Sequence, residues 1–385
     1  MPRRDLETTL PTSPPSPSVQ HARASGCLDA FRVLGPDDRD GWLNAWADVM
    51  GRDPFGHPDF VAAFSPLGSR PACAVVRDAA GAVALPVALR PLEGGGLEVT
   101  SPYGYGGPYE TGADDAAACR ADRFWAAWTV WCRRSGVVCE ALRFSLGSSS
   151  ARSRWPGMTV DRSTNYVRDL SGGSDAVWAD VDRKVRKAVT AARRHGLRVE
   201  FDPRGERLAD FGRLYGATMD RRGATTAYRL DTGRLAQLVA AMSGSVTFGH
   251  VLHGDQVVST ELVLHSPDTA YSFLGGTDPR AFPLRANDLL KHEIAREFAE
   301  RGATAYVLGG GARPGDGVER YKRSFAPRGG VPFSTGQRVL DHAAYDRLCE
   351  RAGAEHAARA AGAAHDGHFP AFRVGSGAWA AGAAR

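Results

Sequence analysis

Residues 245–278 read SVTFGHVLHGDQVVSTELVLHSPDTAYSFLGGTD. Two apolar, β-branched runs flank the short GDQ turn, and a third run follows SPD and ends on paired glycines, so three successive strands are predicted. ANDLLKHEIAREFAERG, residues 286–302, then keeps helical spacing free of Gly and Pro until its last position, and ATAYVLGGG returns to a strand. The first half has the same order. FRVLG and the helical GWLNAWADVM lead to ACAVVRD and AVALPVALRPL, joined by a DAAG turn; LEVTSPYGYGGPY, the helical FWAAWTVWCRRSG and the strand EALRFSL follow. The likeness is one of architecture, not of residue identity. It predicts an α/β (α+β) chain with two tandem domains of mixed, largely antiparallel sheets, residues 27–160 and 161–340, with the boundary near 150–166 where SSSARSRWPG breaks the pattern.

The flanks read differently. PTSPPSPS places the first 26 residues among segments too polar and Pro-rich to offset the entropy of ordering, and a disordered tail is expected there. Residues 341–385 predict a packed helix, HAAYDRLCERAGAEHAARAAGA, and a frayed end. With 43% hydrophobic and 24% charged residues, the 385-residue chain has the balance of a soluble globular protein. No signal-type or membrane-spanning apolar run is seen, so a cytoplasmic location is expected. The six cysteines lack CxxC spacing, which argues against a zinc site or a disulfide framework.

Net charge is only +5, but its distribution is uneven. VDRKVRKAVTAARRHGLRVEF, residues 181–201, puts Val185, Ala188, Val189 and Ala192 on one helical stripe, with Arg183, Lys187 and Arg194 opposite. The cationic side is either a solvated face or a phosphate-binding surface. SPYGYGGPY, residues 101–109, cannot hold regular structure. Its tyrosines either pack over the sheet or, with Gly106 and Gly107, contact substrate through Tyr103, Tyr105 and Tyr109. GVERYKRSF, residues 317–325, follows the glycine-rich LGGGARPGDG, where bared backbone and Lys322 could meet a negative charge. If that segment is extended, Arg320 and Arg323 point away from Lys322.

Several chemistries are excluded. No GxGxxG, GKS/GKT, GxSxG or HExxH occurs, and His365 and His368 have no third ligand nearby, so no metal is expected.

Taken in order, SPYGYGGP after a strand, the basic helix leading into HGLRVEF, LGGTDPR before a helix, and YKRSF after a glycine turn resemble the Fem family of aminoacyltransferases and related Fem-like acyltransferases, over roughly residues 30–345. The resemblance implies two packed GNAT-like domains and amide-bond formation. In such a reaction an amino acid passes from aminoacyl-tRNA, a co-substrate used without a bound cofactor, to an amine of a small molecule (a natural product) or a peptidoglycan precursor. It also implies that Lys322 lies near the tRNA acceptor end with Tyr321 as its aromatic neighbour, and that Arg221, Arg222 and Tyr228 contact the acceptor. Arg183, Lys187, Arg194, Arg320 and Arg323 would then hold tRNA. The long helical arm of some family members is missing and the Pro-rich tail has no counterpart, which leaves the acceptor open.

Two other functions fit parts of the pattern: an acyl-CoA-dependent N-acyltransferase and a non-catalytic RNA-binding module. A pyrophosphate needs a glycine-bearing loop at a helix start. PRAFPLRANDLL, residues 279–290, has no glycine, although GYGGPYETG in the first half could serve.

Overall fold

The computed structural model describes residues 29–112, 116–223, 231–311, 313–357 and 369–373. The expected tail over 1–26, Tyr228, His365 and His368 lie outside them. The strands are β1 (Asp29–Leu34), β2 (Arg70–Asp78), β3 (Gly81–Pro91), β4 (Leu97–Thr100), β5 (Tyr109–Thr111), β6 (Val137–Arg143), β7 (Met158–Asp169), β8 (Arg198–Asp202), β9 (Val246–His253), β10 (Gln256–His265), β11 (Thr269–Thr277), β12 (Ala305–Gly310) and β13 (Gly330–Val339). The helices are α1 (Arg39–Asp48), α2 (Pro58–Ala63), α3 (Ala117–Arg134), α4 (Ser150–Ser153), α5 (Gly173–Ala179), α6 (Arg183–Arg194), α7 (Leu208–Arg221), α8 (Thr232–Ala241), α9 (Ala286–Glu300), α10 (Gly317–Phe325) and α11 (His342–Ala357).

All the strands belong to one mixed sheet in the order β1-β2-β3-β4-β6-β13-β7-β12-β11-β10-β9-β8, with β5 paired to β3. Parallel neighbours need a crossover, and the two parallel pairs, β4–β6 and β11–β12, are connected through α3 and α9. The other pairs are antiparallel, so the same pairing order is present in each half. Four strands stand outside the sequence expectations: β5, which begins at Tyr109 inside the stretch read as irregular, β7, β8 and β13. β13 lies between β6 and β7, bonding Thr335 to Arg143 in register on one side and Ser334 to Asp161 on the other. GVERYKRSF is also not extended. It forms α10, capped by the Asp316 carboxylate, which accepts from the Glu319 N–H at 2.6 Å.

Helical spacing explains how the faces are covered. Ala121, Phe124, Trp128 and Cys132 of α3 pack over Val83, Leu85 and Leu142. Val185 and Val189 of α6 join Leu290, Ile294 and Phe298 of α9 in a second core. The stripe read from α6 is the buried one: Val185, Ala188, Val189 and Ala192. A third core crosses between the halves, with Phe55, Phe60 and Phe64 against Phe211, Leu238 and Phe248.

Candidate active site

β11 and β12 pair only from Thr269–Tyr271 with Ala305–Val307, although both strands run further. Beyond that point β11 follows β10 and β12 follows β7, so the sheet opens between them. Gly309, with φ of +76°, stands at this opening. A Cβ there would lie 3.1 Å from Lys322 Nζ and 3.9 Å from both Asn165 Oδ1 and Tyr105 OH. Side chains from α10, β7 and the 101–108 loop therefore converge on one glycine whose backbone conformation other residues rarely adopt.

Lys322 is half-buried and donates to the Gly310 carbonyl at 2.7 Å. Burial brings its ammonium down to about 7, and the positive charges of Lys291 and Arg222 act in the same direction; Glu261 and Asp316 oppose them. Lys291 is itself buried. Its Nζ lies 2.5 Å from Glu261 Oε2 and also bonds Ser272, while Tyr306 OH donates to Glu261 Oε1 at 2.6 Å. The sequence reading named none of Asn165, Glu261, Lys291 or Tyr306.

The loop tyrosines separate. Tyr105 packs edge-on against Phe55 at 5.2 Å and against Phe333 at 5.7 Å, and its hydroxyl reaches the Gly309 region. Tyr103 packs at a tilt against Phe273, ring centroids 5.8 Å apart, with the Arg143 guanidinium 5.7 Å above its ring. Tyr109 packs instead against the core under α1. Gly106 and Gly107 shape the turn: a Cβ on Gly106 would meet Ser101 Oγ at 2.7 Å, and the Gly107 N–H donates to Ser145 Oγ at 3.0 Å.

Among the other predicted residues, Arg222 is within electrostatic reach of Lys322. Tyr321 turns from Lys322 toward α9, where Asn287 donates to its hydroxyl at 2.9 Å. Arg222 ends α7, and Arg221 lies 5.4 Å from the Phe282 ring. Arg183, Lys187, Arg194 and Arg323 are exposed and carry no ion pair among the described residues. Arg320 is exposed and bonds the Gly315 carbonyl. The start of α6 touches the end of α10 through the Asp182 N–H, which donates to Ser324 O at 3.2 Å.

Residues 179–323 match the family model described as an acetyltransferase (GNAT) domain. The crystal structure of FemX superposes with a TM-score of 0.59 at 11% identity, covering 82% of this chain and 99% of that one. The chain has the Fem-like GNAT fold. The C-terminal domain of a putative lysylphosphatidylglycerol synthetase from Agrobacterium fabrum also superposes, with a TM-score of 0.50 at 13% identity over 79% of this chain and 94% of that one. A conserved protein of unknown function from Bacteroides thetaiotaomicron gives 0.50 at 11% identity, over 80% and 99%. No curated protein matches the sequence. Within the Fem-like GNAT fold the matched segment runs from the end of α5 to Lys322 and Arg323, so it spans α6, the opened strands and most of α10.

Proposed function

We propose that this chain is a Fem-like aminoacyltransferase, which joins an amino acid carried by aminoacyl-tRNA to an amine of a small molecule or a peptidoglycan precursor. The observation that carries the reading is the convergence of Lys322, Tyr105 and Asn165 on Gly309 at the open end of β11 and β12. Attack of an amine on an ester generates a tetrahedral oxyanion, and donors preorganised in a site shielded from water stabilise it by about 2 to 4 kcal/mol. Lys322 and Tyr105 supply such donors. Arg222 is suited to the acceptor, together with Arg221 and Tyr228. The recurring pairing order supports reading 27–160 and 161–340 as tandem units.

The start of α9 favours an RNA donor over CoA. Its first turn carries Asp288, a half-buried carboxylate whose own charge lies where a helix N-terminus would otherwise attract pyrophosphate. Arg183, Lys187, Arg194 and Arg323, exposed and without an ion pair among the described residues, offer phosphate contacts. No bound cofactor takes part, and the reaction is expected in the cytoplasm.

The test is amide formation from a panel of purified amines with tRNA, ATP, an amino acid and its synthetase. Product is expected only with the complete mixture and is lost on ribonuclease treatment. Product formed from acetyl-CoA without tRNA would replace this reading by CoA-dependent N-acyl transfer, and RNA binding with neither activity would replace it by a binding role.

A further inference from the structure

Lys322, beside Gly309, lies within electrostatic reach of a buried lysine, Lys291, and a buried carboxylate, Glu261. Both oxygens of that carboxylate are occupied: Oε2 by Lys291 at 2.5 Å and Oε1 by the Tyr306 hydroxyl at 2.6 Å. Lys322 is left with a neutral partner, the Gly310 carbonyl. We propose that Lys322 is the proton acceptor of the transfer step, and that Lys291 is a positioning residue that keeps Glu261 from becoming its counter-ion.

The charged groups facing Lys322 come from four directions. Lys291 on α9 and Arg222 after α7 disfavour a second cation; Glu261 on β10 and Asp316 before α10 favour one. The favourable pair is already engaged. Glu261 is held as above, and Asp316 accepts from the N–H groups of Glu319 at 2.6 Å and Arg313 at 3.0 Å. Burial is the main cause, the repulsion from Lys291 and Arg222 adds to it, and together they bring the Lys322 ammonium to about 7, where a useful fraction is neutral amine. A lysine with its own carboxylate would stay protonated and could only stabilise charge.

The proposal rests on the site carrying out acyl transfer to an amine, and the step balances without another reagent. The acceptor nitrogen attacks the ester carbonyl carbon, the N–C bond forms, and the carbonyl π pair moves to oxygen. The nitrogen, now cationic, passes one proton to Lys322 Nζ. The oxyanion then collapses, the ester C–O bond breaks, and the departing oxygen takes that proton from Lys322.

The test reads the lysine directly. The full chain is reductively methylated with ¹³C-formaldehyde, the Lys322 signal is assigned by its loss in Lys322→Arg, and its pH titration is followed by NMR. In the wild-type protein it is expected near 7. In Lys291→Met, Glu261 is released toward Lys322, and the midpoint is expected to rise to about 8 or above. The acid limb of the single-turnover pH–rate profile should move with it, lowering the rate about tenfold at pH 6. A wild-type midpoint above about 9 overturns the proposal whether or not the variant folds, as does a folded Lys291→Met whose midpoint is unchanged. If the titrations behave as stated while no amine is acylated, the electrostatic arrangement stands and the assigned reaction fails.

Discussion

The Tyr271 hydroxyl donates to Asp53 Oδ2 at 2.7 Å, bonding a residue of β11 to the turn that precedes α2. Burial raises the Asp53 carboxyl to about 6, although this bond and the Phe55 N–H favour its ionised form. The folded protein therefore binds a proton there more tightly than the unfolded chain does. The stabilisation from that proton is fully present below the unfolded value near 4 and is lost as pH rises toward 6. Urea midpoints measured from pH 4 to 7 for wild type and Asp53→Asn should differ in slope, with the variant lacking the decline contributed by Asp53. Parallel curves would assign the pH dependence to other groups.

Phe55 is fully buried beside this bond, with rings of Phe60, Tyr105 and Tyr271 at 5.0, 5.2 and 4.9 Å. Phe55→Ala should cost about 3 to 5 kcal/mol in chemical denaturation. Because Tyr105 loses a wall, activity should also fall at temperatures where the variant remains folded.

Lys322→Ala should lower the single-turnover rate by roughly a hundredfold or more, while stability changes by less than about 1 kcal/mol. Lys322→Arg should restore little, because a planar guanidinium that stays protonated neither fits the same point nor accepts a proton. A wild-type rate in Lys322→Ala removes the residue from the mechanism.

Gly309→Ala introduces a Cβ 3.1 Å from Lys322 Nζ at a φ of +76°. The left-handed backbone should cost about 1 to 2 kcal/mol. Displacement of the flexible lysine end should reduce kcat more than it raises KM, and steady-state kinetics with a thermal melt separate the two effects.

Replacing Arg183, Lys187 and Arg194 together by Ala should leave stability within about 0.5 kcal/mol, since all three are exposed. If they contact phosphates, tRNA affinity falls and the slope of log K against log salt decreases by roughly 2 to 3. An unchanged slope leaves this side of α6 as a solvated face.

Legibility in the sequence followed burial. β9 and β10 are covered almost along their full length and show as apolar runs, and the amphipathic spacing of α6 identifies its buried residues one by one. β7 is different. MTVDRSTNYVRD is largely exposed over its first half and carries charges between its polar β-formers, so it has neither the apolar run nor the clean alternation that marks a strand. Its place depends on partners far along the chain. α10 was legible and missed: Asp316 followed three residues later by Glu319 is the spacing of a capping box. Glu261 could have been noticed as an acid set among VVST and LVL, but nothing local says that its partner is a lysine thirty residues later.

β6 and β7 make no ladder with each other; β13 bonds to both. The strand that joins the two halves of the sheet is thus the last of the described strands in chain order. On the ribosome, β1–β6 and β7–β12 can each pair internally while the edges of β6 and β7 wait for residues 330–339. Until they emerge, both edges present open hydrogen-bonding groups to any other nascent chain. A ribosome stalled before residue 330 would hold a protein whose sheet has two unfinished borders, and emergence of residues 330–339 closes both at once.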